Sequence, residues 1–553
     1  MKIFKISFLL SIFLLVGACK KLDLGPADQF EDSNFWTNEN NVRTYSWEFY
    51  NLFTGFGTGT TADFYFSAFS DDQATTGFSN FAVSAPATNS NWSWYYIRKA
   101  NILIDRVDKI ASLSQEAKNH WKGVGRFFRA MDYFNKVKLF GGVPWIDSEL
   151  DIAQNDLIYK KRDTRKFVMD KVMEDLDFAI ANLRDNNLNE VNKSVALALK
   201  SRVALFEGTY RKYHTELGLQ ADAEAYLKAA KQASEALMTG KYILTTQYGP
   251  VYNSMDLKGN TEVILYKEYV AGTLTHSVIG YTASTTTMHG LTKSAVESYV
   301  YTDGLPVGQS PLATGDATIT AVRKDRDDRL LKTISDFLCY QGNLSPQGFS
   351  SSTGYRPAKF LNSVSNQLAP YNETDAPIFW LAEVLLNYAE ASAELNDLGV
   401  YTLTQNDLDK SVNKLRQRAN VKPLILSGTN VMSGIAGDVI INDPKRTADI
   451  SPIIWEIRRE RRTELMMDGF RYNDLMRWKK GEYLDTTLNP DCILGANVPN
   501  NGKVTRNAAG YIMPYTATTV RKFISPKHYL SPIPTGQISL YPNNNLEQNP
   551  DWN

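Results

Sequence analysis

The chain has 553 residues, which is enough for one large domain or several ordinary ones. Its 60 basic and 60 acidic residues give a formal net charge of 0, so the composition does not indicate a nucleic-acid-binding protein. Three cysteines are too few for a fold held together by many disulfides, or for a metal site built from several cysteines. Cys339 and Cys492 can form one disulfide or remain two buried thiols, and the sequence leaves both alternatives open.

The N-terminus predicts export and lipid attachment. Two lysines precede an apolar run at residues 6–16, which is shorter than the about 20 residues of a membrane-spanning helix. The stretch LVGAC at residues 15–19 resembles a bacterial lipobox, in which the cysteine is acylated and becomes the mature N-terminus. We therefore expect residues 1–18 to be a lipoprotein signal peptide and Cys19 to carry the lipid anchor to a membrane.

Apolar residues at helical spacing follow in the first half of the chain. Between residues 117 and 134 they recur every three or four positions, and Gly141, Gly142 and Pro144 end the predicted long helix. Further helices are predicted at 96–107, 164–183 (with Asp163 or Thr164 as N-cap), 193–213 and 221–239.

The helices indicate a repeat. RAMDYFNKVKLF (129–140) is similar to ALKSRVALFEGTY (198–210), roughly two tetratricopeptide periods of about 34 residues away. Residues 377–395 and 407–419 predict one more pair. Stacked helix pairs of this kind bury a continuous core and usually present concave faces to a partner protein.

The predicted fold is therefore mostly α, with tetratricopeptide-like helix pairs as a scaffold and a large irregular, loop-rich part that contains short strands. We expect the helical repeats mainly at 91–240 and 377–420, plus 452–480. The irregular insertions, rich in Thr, Ser, Gly and Tyr, are expected mainly at 241–376, 421–450 and 481–545. Binding sites favour such loops.

No catalytic motif stands out. The five histidines lack metal-ligand spacing, and nucleophile-elbow, Walker and dinucleotide-binding motifs are missing, so we expect no catalytic residues, metal or cofactor. Carboxylates are plentiful, and their number alone does not exclude a glycosidase pair. In RKDRDDRL (323–330) a solvated ion-pair network is favoured over a calcium site, and EIRRERRTEL (456–465) predicts a salt-bridged surface helix with Glu456 reaching Arg459.

Two aromatic groups are candidates for stacking on a sugar. The first opens the helical region at NSNWSWYY (89–96), where helical period buries Ile97 and Trp94 and leaves Trp92 and Tyr95 on another, exposed face. The second lies in the loop-rich part and consists of Tyr281, Tyr299 and Tyr301, of which the last two share one side of an extended chain. Core packing is the alternative for each ring. The candidate ligand-binding residues are Asn91, Trp92, Trp94, Tyr281, Tyr299, Tyr301 and Asp303.

Several stretches, taken in order, resemble the SusD/RagB family of outer-membrane nutrient-binding lipoproteins. The most specific are GRFFRAMDYFNKVKLFGGVPWID (125–147), ERRTELMMDGFRYNDLMRW (460–478) and LEQNPDW (546–552). The resemblance extends from the lipobox to the C-terminus. Trp380 departs from the family pattern, which commonly has an arginine there, and this puts one local ion pair in doubt.

The resemblance implies a protein that is not an enzyme. Such proteins lie at the outer membrane over a SusC-like TonB-dependent transporter, capture an oligosaccharide (a peptide in some members) and deliver it for uptake. The helices would then contact the transporter and the irregular part would hold the ligand. The alternatives are a helical-repeat lipoprotein that scaffolds outer-membrane assembly, and a secreted glycosidase.

Overall fold

The fold is described from a computed structural model of the chain. It covers residues 35–58, 70–75, 77–282, 289–340, 350–365, 368–516, 518–542 and 545–552. The predicted signal peptide (1–18) and the predicted lipidation site, Cys19, lie outside these ranges. Within them, no helix combines the length and the apolar character that a membrane crossing requires.

The described part of the chain is mostly helical, as predicted. The helices are α1 (Glu39–Ser46), α2 (Tyr95–Lys109), α3 (Gln115–Phe140), α4 (Asn155–Ile158), α5 (Arg165–Asn182), α6 (Lys193–Tyr213), α7 (Ala223–Leu237), α8 (Pro250–Asn253), α9 (Val278–Thr282), α10 (Lys293–Ser298), α11 (Ile319–Arg323), α12 (Asp328–Thr333), α13 (Leu381–Asp397), α14 (Gln405–Asp409), α15 (Val412–Arg418), α16 (Pro452–Glu464), α17 (Arg471–Arg477) and α18 (Thr535–Ile538).

The strands are short and lie in the predicted irregular segments, apart from β1 near the N-terminus and β6 at the start of the second helical block. They are β1 (Gln73–Ala74), β2 (Val263–Lys267), β3 (Gly290–Leu291), β4 (Ile334–Leu338), β5 (Tyr355–Pro357), β6 (Ala376–Trp380), β7 (Ile425–Ser427), β8 (Asn430–Ser433) and β9 (Val439–Ile440). The described strands pair antiparallel as β1–β3, β2–β6, β4–β5 and β7–β8–β9.

Side-chain caps set the starts of the long helices. Ser114 accepts a hydrogen bond from the backbone N–H of Ala117 at the start of α3, and Thr164, one of the two predicted caps, does the same for α5. The end of α3 is fixed by two glycines. Gly141 has a φ of 74°, and a Cβ on Gly142 would lie 2.2 Å from the carbonyl oxygen of Asp163.

Neighbouring helices pack in pairs around a large hydrophobic core. α3 packs between α2 and α5, and α6 packs against α7. α13 contacts α6, α7 and α16 and is buried on all sides from Leu381 to Leu395. The residue before it, Trp380, is fully buried at the end of β6, so the position that departs from the family pattern is a core residue here.

The arginine-rich helix α16 is buried, so the prediction of a surface helix is wrong. Glu456 does pair with Arg459, with 3.0 Å between Oε2 and Nε. Glu460 forms ion pairs with Arg329 and Arg416, at 2.6 Å and 3.2 Å. Because α16 packs against α12, α13 and α15, its charged face points at charged residues of those helices and not at water.

The prediction of a solvated network in residues 323–330 is likewise wrong for its central residues. Asp327 and Arg329 are fully buried and form an ion pair of 2.6 Å, while Arg326 donates to the backbone oxygens of Val296 and Tyr299. Asp325 is exposed. No cluster of three or more metal-ligating side chains occurs in the described ranges.

The two later cysteines are separate thiols. Cys339 and Cys492 are both buried and unbonded. Burial raises the pKa of each thiol to about 11, which keeps it protonated and unreactive at neutral pH.

Candidate ligand-binding groove

An aromatic groove lies where the first long helix pair begins. It has a volume of about 540 Å³ and is bordered by the start of α2, the segment after α3, α4 and α18. Five aromatic residues line it. They are Trp92, Trp94, Tyr95, Tyr159 and Tyr541.

The structure reverses the predicted exposure of the two tryptophans. Trp92 is only 9% exposed, and its ring packs edge-on against Phe140 and Trp94, both at 5.0 Å between centroids. Trp94 is half-buried, and its Nε1–H donates to the backbone oxygen of Pro144 at 3.2 Å. The helix begins only at Tyr95, so helical period does not govern the residues before it. Ile97, inside the helix, is fully buried as predicted.

The open side of the groove is made by residues around these tryptophans. Tyr95 is 52% exposed, and its hydroxyl donates to Glu48. Asn91 is exposed beside the groove, and its backbone oxygen accepts from the Lys136 ammonium at 3.4 Å. The polar rim includes Arg98, which donates to the backbone oxygen of Leu150 at 2.8 Å.

A buried polar network fixes the floor of the groove. Asn101 on α2 donates to the backbone oxygens of Ile146 and Ser148, at 3.1 Å and 3.0 Å, and both of those residues line the groove. The same Asn101 accepts from Arg129 at 2.9 Å, and Arg129 forms two 2.7 Å hydrogen bonds to Asp175. The floor is therefore tied to three helices, α2, α3 and α5.

The far wall carries two residues that the sequence analysis missed. Tyr159 and Tyr541 meet edge to face at 5.6 Å, and both line the groove. They lie almost four hundred positions apart in the chain, and no local pattern connects them. The sequence does carry one signal for this wall of the groove, a group of apolar residues after Pro144 that includes Ile152 and Leu157. Both side chains are exposed in the structure.

Three predicted ligand residues lie in the core and do not line this groove. Tyr299 is fully buried, and its hydroxyl donates to Thr333 at 3.2 Å. Tyr301 is 2% exposed and has the Arg326 guanidinium over its ring at 4.8 Å. Asp303 is buried and accepts from the backbone N–H of Leu305 and the hydroxyl of Ser310. A ring with no exposed face cannot stack on a sugar, so the expectation that Tyr299 and Tyr301 are stacking platforms is wrong, and core packing is the role of both.

Tyr281 lies in the short helix α9, and its side chain is outside the part of the structure that is described. It therefore stays a prediction. Of the seven predicted ligand residues, Trp92 and Trp94 line the groove, and Asn91 directly precedes Trp92 without lining it.

Comparisons with known proteins give a consistent result along the chain. A family model described as "SusD family" matches residues 262–552, and a second, described as "Starch-binding associating with outer membrane", matches residues 28–205. A SusD-like protein of Formosa agariphila is 25% identical over 511 residues, which cover 87% of this chain and 93% of that protein.

Solved structures share the fold. A SusD-like carbohydrate binding protein from Bacteroides fragilis superposes with a TM-score of 0.69 at 21% identity, covering 93% of this chain and 100% of that one. A laminarin binding SusD-like protein superposes with a TM-score of 0.57 at 19% identity, again over 93% of this chain and 100% of the other.

Proposed function

Because the chain belongs to the SusD family, a family of carbohydrate-binding proteins, we propose that it is a cell-surface lipoprotein that captures an oligosaccharide and delivers it to a SusC-like TonB-dependent outer-membrane transporter. The proposal places the protein at the outer membrane, held by acyl chains on Cys19. The matched description of starch binding at the outer membrane supports this location.

We propose the aromatic groove as the place where the oligosaccharide binds. The observation that carries this is the arrangement of Trp94, Tyr95, Tyr159 and Tyr541 around one open cavity of about 540 Å³ with a polar rim. Apolar ring faces suit the C–H faces of pyranose rings, and polar groups at the rim fix orientation by hydrogen bonds. Trp92 has little exposed surface, so its role is to support the Trp94 ring from behind.

Delivery to a transporter is the next part of the proposal. Stacked helix pairs usually present a surface to a partner protein. An affinity pull-down from outer membranes in mild detergent should recover a large TonB-dependent protein together with the lipoprotein. Recovery of the lipoprotein alone in several detergents would contradict this part and leave ligand binding untouched.

Binding without turnover distinguishes the proposal from a secreted glycosidase. Purified protein should be incubated with its best-bound oligosaccharide and the products separated by chromatography. We expect the oligosaccharide to remain intact, and protein-dependent cleavage above a trace rate would contradict the proposal. The other rival, a scaffold for outer-membrane assembly, predicts no glycan binding on an array.

A further inference from the structure

A second, smaller cavity lies away from the aromatic groove. It has a volume of about 260 Å³ and is formed where α3, α6 and α17 meet. Its lining includes four phenylalanines, Phe53, Phe134, Phe206 and Phe470. It also includes two half-buried side-chain amides, Asn135 and Asn473, and one half-buried amine, Lys138.

The other charged groups of this cavity are paired. Arg202 on α6 binds Glu383, with 2.6 Å and 2.7 Å between nitrogen and oxygen atoms. Asp474 on α17 accepts from Arg461 at 2.9 Å and from Arg477 at 2.9 Å. The remaining acid, Asp468, binds Lys359 at 2.8 Å.

Lys138 differs from them. Among the described residues it forms no ion pair with a carboxylate, and its ammonium lies 4.7 Å from the centre of the Phe134 ring. Burial and the neighbouring Arg202 lower the pKa of Lys138 to about 8. The amine is half-buried and no carboxylate of the described residues pairs with it, so an anion in the cavity would stabilise its charged form.

We propose that this cavity binds the carboxylate of a small organic acid, with Lys138 as its counter-ion. One unpaired positive charge matches one negative charge, which favours a carboxylate over a sulfate or a doubly charged phosphate. The amides of Asn135 and Asn473 supply further hydrogen-bond donors, and the phenylalanine rings cover the apolar part of the ligand. The acid is either a free metabolite or a uronic-acid residue of a glycan, and the site does not rest on the proposed function.

The first experiment is a set of calorimetric titrations of the purified protein at pH 7 with glucuronate, lactate, glucose and sulfate. We expect glucuronate or lactate to bind and glucose not to bind at this cavity. If glucuronate binds and lactate does not, the natural ligand is a uronic-acid residue of a glycan. If lactate binds as tightly as glucuronate, the natural ligand is a free organic acid. Failure of both acids to bind, or tighter binding of sulfate, would overturn the proposal.

Variants assign the binding to the amine. Lys138→Met keeps an unbranched apolar side chain, one atom shorter than lysine, and removes the charge. It should weaken carboxylate binding at least tenfold while the protein stays folded. Lys200→Met is the matched control, because Lys200 lies on α6 and does not line the cavity. It should leave the affinity for the carboxylate unchanged. Equal affinity of wild type and Lys138→Met would contradict the proposal.

The pH dependence gives a second, independent readout. With a pKa of about 8, protonation of Lys138 falls about tenfold between pH 7 and pH 9, and affinity should fall with it. Lys138→Arg stays charged and should bind equally at both pH values. The other charged groups that line the cavity are Arg202, Arg461, Arg477, Asp468 and Asp474. Burial raises the pKa of Asp468 to about 6, which lies below this window. A pH profile in which Lys138→Arg falls like wild type would contradict the role of Lys138.

Discussion

The buried Arg129–Asp175 pair under the groove gives a quantitative prediction. Its two side chains are 6% and 3% exposed, and two 2.7 Å hydrogen bonds join them. The substitution Asp175→Asn keeps the size of the side chain and removes its charge. It leaves the Arg129 guanidinium buried with no carboxylate partner, and only neutral acceptors remain, namely Asn101, the backbone oxygen of Asp147 and the new amide oxygen.

Breaking a buried ion pair on one side costs about 3–5 kcal/mol of unfolding free energy. An unfolding entropy of roughly 2.1 cal/mol/K per residue gives on the order of 1.2 kcal/mol/K for a chain of 553 residues. The melting temperature should therefore fall by about 3–4 °C if the chain unfolds as one unit. In urea unfolding, the free energy of unfolding extrapolated to water should fall by about 3–5 kcal/mol.

The neighbouring residue supplies a matched control. Glu174 pairs with Lys171 on the surface of the same helix at 2.7 Å, and these side chains are 61% and 34% exposed. Glu174→Gln is the same chemical change and should cost about 1 kcal/mol or less. The double variant Arg129→Met/Asp175→Leu should recover most of the lost stability, because neither charge then remains buried. Equal costs for Asp175→Asn and Glu174→Gln, by thermal and urea unfolding, would refute the reasoning.

Three further predictions concern other parts of the chain. Cys19→Ala should release the protein from the membrane fraction or leave its precursor uncleaved, and wild-type fractionation with the outer membrane would contradict lipid attachment. Tyr301→Ala should destabilise the fold by about 3–5 kcal/mol in thermal melts while the folded protein keeps its glycan affinity, since the ring is buried; a loss of affinity with normal stability would be the contrary result. Burial lowers the pKa of His276 to about 4, so the fold holds it neutral and its contribution to stability is full above pH 6.5 and lost as the pH falls toward 4. His276→Gln should reduce this acid destabilisation by up to about 1.4 kcal/mol per pH unit in urea unfolding, and an unchanged pH slope would count against the assignment.

Much of the helical scaffold could be predicted because its signals are local. The spacing of apolar residues in α3, the cap at Thr164 and the glycines at 141 and 142 each act within one or two turns of their own helix. The two buried charged segments could not be predicted in the same way. Whether Glu460 meets water or Arg329 depends on a helix more than a hundred residues away.

The site was only partly predictable for the same reason. Trp92 and Trp94 are separated by one residue, yet their exposures depend on contacts with Phe140 and Pro144. Alternation placed Tyr299 and Tyr301 correctly in an extended segment, but alternation does not say what covers each face. Tyr541 reaches the groove only through the tertiary fold.

The most direct test of the account is a calorimetric titration with the oligosaccharide that gives the strongest signal on a glycan array. An indole face that covers roughly 60 Å² of sugar C–H surface contributes about 1.5 kcal/mol, so Trp94→Ala should weaken binding about tenfold. Trp47→Ala removes a tryptophan that is 61% exposed and does not line the groove, and it should bind like wild type. Saturable binding that Trp94→Ala weakens and Trp47→Ala does not is the predicted result. Absence of binding to any glycan, or equal affinities for the two variants, would contradict the account.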